Sequence, residues 1–88
     1  MSEDNRIYWI DNNNKYEFKV SNNVLKIYIN GKISMGINIK YIINTTVVNK
    51  YTFVIELGGN NIQSNNKKFY TDKQYDAHEI IDKLLNLL

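Results

Sequence analysis

The chain has 88 residues, 11 Lys and Arg against 9 Asp and Glu for a formal net charge of +2, and no cysteine. That length supports one hydrophobic core and one domain, leaves little room for a deep catalytic cleft, and carries too little net charge to favour nucleic acid as a partner. Without cysteine there is no disulfide framework and no thiolate metal site, which fits a reducing compartment.

Residues 1–5 are polar and acidic, with neither the basic start nor the apolar run of a secretory signal, and are expected to be disordered. No apolar stretch reaches the length that crosses a bilayer, so the expected location is intracellular and cytoplasmic, with the nucleus left open. Fifteen asparagines and no proline make the strongest compositional bias, as an AT-rich genome would produce. The asparagines fall between apolar alternating runs, where turns belong because Asn tolerates the left-handed region.

That punctuation predicts about seven short strands. Arg6 to Ile10 is the first, ended by Asn12 to Asn14. The second, Lys15 to Val20, places Tyr16, Phe18 and Val20 on one face, and Ser21 to Asn23 turns the chain into Val24 to Ile29. Asn30-Gly31 matches the type I′ hairpin signal. Lys32 to Ile39 then sets Ile33, Met35, Ile37 and Ile39 on one face, with Gly36 a bulge or a close backbone approach. In Tyr41 to Val48 the pairs Ile42-Ile43 and Val47-Val48 break the alternation, so a kinked strand or two strands around a short turn both fit. Tyr51, Phe53, Ile55 and Leu57 alternate cleanly. Residues 58–66 read as a mobile loop, followed by the short run Lys67 to Tyr70.

From there the period changes. Thr71 and Gln74 match a T-x-x-Q capping box, which sets a helix over 72–88. Ala77, Ile80, Ile81, Leu84, Leu87 and Leu88 line one side of it, and Glu79 and Lys83 pair on the wet side. The expected fold is a mainly β, α+β architecture: a seven-stranded antiparallel roll or partly open barrel, capped by one C-terminal amphipathic helix.

This order resembles the pleckstrin-homology superfold. Residues 15–28 are similar to the family's second and third strands, Gly36-Ile37-Asn38-Ile39 to its fourth, and Tyr51 to Ile55 with Lys68-Phe69-Tyr70 to its sixth and seventh. Ile80-Ile81-Asp82-Lys83-Leu84 stands where the family's helix has Trp-Ile-x-x-Leu. The resemblance spans nearly the whole chain through hydrophobic patterns. Members that bind phosphoinositides carry a basic motif across the first two strands; Arg6 and Lys15 match its start, but Glu17 occupies the position of its last cation. Ile80 in place of the family's Trp marks a divergent member, similar to the protein-binding domains of transcription and trafficking factors. The resemblance therefore implies a peptide or partner-domain ligand.

No residue pattern supports catalysis, and neither enzyme activity nor a cofactor is expected. His78 is the only histidine, and with no second histidine or cysteine it lacks metal-ligand company, so a solvated helix histidine is the simpler reading. Glu17 and Glu56 alternate with buried neighbours and should face outward. Lys15, Lys19, Lys26, Lys32 and Lys40 interleave with Tyr16, Tyr28 and Tyr41, which fits either an anionic surface or ordinary solubilising lysines on outward strand faces. Trp9 is either core or, if Tyr8 and Ile10 point inward, an exposed anchor.

The function that follows is a non-catalytic protein-interaction or adaptor module, free-standing or within a larger assembly. Its expected contacts are Arg6, Tyr8, Trp9, Lys15 and Lys40, along a strand edge or the loops at the open end. The alternative is a membrane-surface module that binds acidic lipid through Arg6, Lys15, Lys19 and Lys26.

Overall fold

A computed structural model describes residues 7–59 and 62–88. Seven strands and one helix follow in chain order: β1 (Ile7–Asp11), β2 (Asn14–Ser21), β3 (Val24–Ile29), β4 (Lys32–Asn38), β5 (Ile42–Asn49), β6 (Thr52–Gly59), β7 (Ile62–Tyr70) and α1 (Ala77–Leu87). They form two antiparallel sheets, β1-β2-β3-β4 and β5-β6-β7, in which, among the described residues, every strand pairs only with its neighbours in sequence. A 3₁₀ turn at Ile39–Tyr41 joins the sheets. The result is a partly open roll with the helix packed across β1, β5 and β6.

The hairpin turns in the first sheet have a common chemistry. Asn12 and Asn13, Asn22 and Asn23, and Asn30 and Gly31 all have positive φ, the requirement at both central residues of a type I′ turn. Asn30 also ties its own hairpin to its neighbour, accepting from the Lys15 amide at 2.8 Å and donating to Asn14 Oδ1 at 2.8 Å.

Alternation fills the space between the sheets. From the first sheet come Ile7, Trp9, Phe18, Leu25, Ile27 and Ile37, and from the second Phe53 and Ile55. Ala77, Ile80, Ile81 and Leu84 close that core from the helix. Trp9 stands at its centre, stacked on Tyr16 at 5.3 Å and edge-on to Phe18, Phe53 and Phe69. Its indole Nε1 donates to the Tyr70 carbonyl at 2.9 Å, and the Asp72 amide donates to the Ile10 carbonyl at 2.9 Å, so one side of the roll is tied between β1 and the end of β7.

Four expectations are corrected. Trp9 is fully buried and cannot act as an exposed anchor; its in-register partner Tyr16 and the diagonal neighbour Phe18 share its inward face. Of the loop expected over residues 58–66, residues 60 and 61 lie outside the described residues and the rest is strand: β6 runs through Gly59, and β7 begins at Ile62. Gly58 and Gly59 lie where a Cβ would come within 3.2 Å of Ile43 and Tyr41 respectively, and Asn65 and Asn66 pair in register with Leu57 and Glu56.

Third, β4 carries a bulge. Ile33 does not share the face of Met35 and Ile37, because the register passes from Ile27↔Met35 to Tyr28↔Ile33 and leaves Ser34 as the extra residue of a bulge. Gly36 is instead the close approach, since a Cβ there would lie 3.3 Å from Val24. Fourth, the helix begins at Ala77 rather than near 72. The Thr71 and Asp72 amides bond the carbonyls of Tyr51 and Ile10, the Tyr75 amide closes a turn on the Asp72 carbonyl, and the Thr71 hydroxyl donates to the Tyr75 carbonyl instead of capping. Asp76 is the N-cap, accepting from the His78 amide at 2.9 Å.

Candidate functional site

The outward face of the first sheet gathers several of the expected contact residues. Cross-strand register places Tyr8, Glu17, Tyr28 and Ile33 in one row across all four strands. Lys19, Lys26 and Gly36 form the next row, and Ile10 and Lys15 flank the first on its other side. Ile33 is 59% exposed and Tyr8 44%, so the row ends in apolar surface at both edges.

Local electrostatics organise the lysines. Lys15 Nζ lies over the Tyr8 ring at 5.0 Å and Lys19 Nζ over the Tyr28 ring at 5.1 Å. Such exposed cation–π contacts contribute about 0.5–1 kcal/mol each and hold long side chains close to the sheet. Lys19 and Lys26 are directly opposite one another, a like-charge pairing that destabilises an antiparallel ladder unless an anion lies nearby. Glu17 sits between Lys15 and Lys19 on this same face, yet among the described residues no salt bridge engages it. The face thus presents three cations, one acid and two tyrosines in an alternating array.

The remaining expected residues lie elsewhere. Trp9 points into the core, as does Tyr16, which stacks on it. Lys40 sits in the 3₁₀ turn beyond the end of β4, over the Tyr41 ring at 5.1 Å. Arg6 lies outside the described residues. Tyr28 and Ile33 join the face unforeseen as contacts: the parity of Tyr28 with Lys26 along β3 signals its side, whereas the position of Ile33 depends on the Ser34 bulge.

Among the described residues no group of three or more His, Cys, Asp or Glu is placed to hold a metal ion. Glu56 faces outward between Asn44 and Asn66, and Asp11 lines a shallow polar depression with Asn12, Asn13 and Asp72. Nor is any described helix long and apolar enough to cross a membrane. Comparison with family models, curated proteins and solved structures finds no match to this chain.

Proposed function

We propose that this chain is a non-catalytic protein-interaction module of pleckstrin-homology-like architecture whose partner docks on the outward face of the first sheet. The observation that supports a protein ligand is Glu17 in the middle of the lysine array. A phosphate-rich head group placed over the row would meet that carboxylate at its centre, whereas a protein surface can offer a cation to Glu17 and acids to Lys15, Lys19 and Lys26. Tyr8, Tyr28 and Ile33 supply the apolar contact that such an interface needs at its core.

The directly opposed Lys19 and Lys26 favour a second reading, attraction to an acidic lipid surface. One pair of experiments separates the two. Affinity capture from the source cell with wild type and with the Lys19→Glu/Lys26→Glu variant should recover a partner that the variant loses. Sedimentation with vesicles rich in phosphatidylserine at low salt should leave the wild type in the supernatant. Equal recovery by both proteins would remove the sheet face from the interaction, and salt-sensitive vesicle binding abolished in the variant would replace the protein reading with the lipid one.

A further inference from the structure

While β1 and the end of β7 tie one side of the roll, its other side is open. β7 is the edge strand of its sheet, paired only with β6 among the described residues. Beside it lies a cleft of about 220 Å³ whose apolar lining is Ile27, Ile29, Met35 and Phe69. Four consecutive β7 residues, Asn66 to Phe69, line the cleft, so it follows the edge of the strand rather than lying beneath one of its faces. Ser34, the bulged residue of β4, stands on the opposite wall. An unpaired edge beside an apolar slot has the two elements of strand-addition recognition: main-chain hydrogen bonds along the edge and a pocket for an alternate side chain.

The lysines define what fits. Lys67 pairs across the ladder with the buried Ile55, which places it on the inward side of β7, and its side chain is half-buried there. No salt bridge engages Lys67 or Lys68 among the described residues, and the cleft lining contains no carboxylate. An inward-pointing lysine on an edge strand repels an uncharged apolar strand, because pairing would desolvate the ammonium without compensation. It repels a second β7 edge as well, since that edge would bring two further lysines. A strand that sets a carboxylate opposite Lys67 turns the same group from barrier into attraction.

We infer that the β7 edge and its cleft bind an extended acidic segment of a partner protein, which adds a strand to the second sheet, places one apolar side chain over Met35 and Phe69, and pairs a carboxylate with Lys67. This surface is separate from the outward face of the first sheet, and the inference stands or falls independently of that reading.

Fluorescence anisotropy on the full chain tests it, with a labelled synthetic peptide alternating Glu and Leu as the probe. A version with Lys in place of Glu and a version interrupted by proline serve as controls. The alternating acidic peptide should bind, with affinity that falls in high salt, and both controls should fail. Lys67→Glu should weaken binding by about tenfold or more, and Ser34→Trp, which fills the slot from an exposed position, by a similar factor. Both variants should keep the circular dichroism of the wild type. The inference is overturned if the proline-interrupted peptide binds equally well, if neither variant changes the affinity, or if no saturable binding occurs up to about 1 mM peptide. Loss of binding in Lys19→Glu/Lys26→Glu but not in Lys67→Glu would also overturn it, by moving the peptide to the first sheet.

Discussion

The indole of Trp9 meets aromatic rings from both sheets and, through Nε1, the carbonyl of Tyr70. Truncation therefore removes contact from both layers at once. Trp9→Ala is expected to cost about 3–5 kcal/mol, comparable to the whole stability of a small domain, and to leave the chain largely unfolded at room temperature. Trp9→Phe keeps a ring but leaves the Tyr70 carbonyl unpaired, so it should cost less, about 1–3 kcal/mol. Urea unfolding by circular dichroism measures both, and a Trp9→Ala midpoint within error of wild type would contradict the central role of the indole. The sequence could not decide the side of this residue by itself, because Ile7, Tyr8, Trp9 and Ile10 put apolar groups on both faces of β1. The decision comes from pairing, which aligns Trp9 with Tyr16 and Ile7 with Phe18. The same parity made Lys15, Lys19 and Lys26 legible as companions on one face.

At the scale of elements, backbone commitments outweighed local signals. The T-x-x-Q pattern is a sound helix start in isolation, yet the Thr71 hydroxyl donates to the Tyr75 carbonyl, residues 72–75 close a turn, and the helix starts only after Asp76. Likewise Asn- and Gly-rich composition reads as loop, but a ladder uses only backbone groups and can extend through it. The helix start also gives a pH dependence. Hydrogen bonds from the His78 amide, and then from its ring, hold the Asp76 carboxyl below the usual carboxylate range. Since the folded-state value lies below the unfolded one, this cap stabilises the helix fully above about pH 4, and the contribution is lost as pH falls through the depressed value. Asp76→Ser retains a cap without a titrating group, so its melting temperature should fall less steeply than that of wild type in this acid range. Asp76→Ala should melt lower than wild type at neutral pH and approach it in acid. Thermal melts across the acid range check the order, and parallel curves for all three proteins would show that the cap does not titrate.

At the scale of the molecule, strand number, hairpin order and terminal helix were legible because each rests on a period or a turn residue. The division into four and three strands was less so, since it depends on where pairing stops, at the 3₁₀ turn Ile39–Tyr41. The cleft was illegible for a related reason. It exists only because β7 is left with a free edge beside β3 and β4, a relation between segments about forty residues apart in sequence that no local pattern encodes.

The strictly sequential pairing of the strands also sets a clock. With no crossover in either sheet and no proline anywhere in the chain, the search for partners is short, and the slow peptide-bond isomerisation that delays many proteins by tens of seconds or more has no X-Pro bond to act on. Hairpins can close early, while the sheets still have to meet around the single tryptophan. Stopped-flow refolding followed by tryptophan fluorescence should accordingly give one fast exponential with no minute-scale phase, and a slow phase of substantial amplitude would mean that joining the two halves, rather than forming either, limits how soon the core closes.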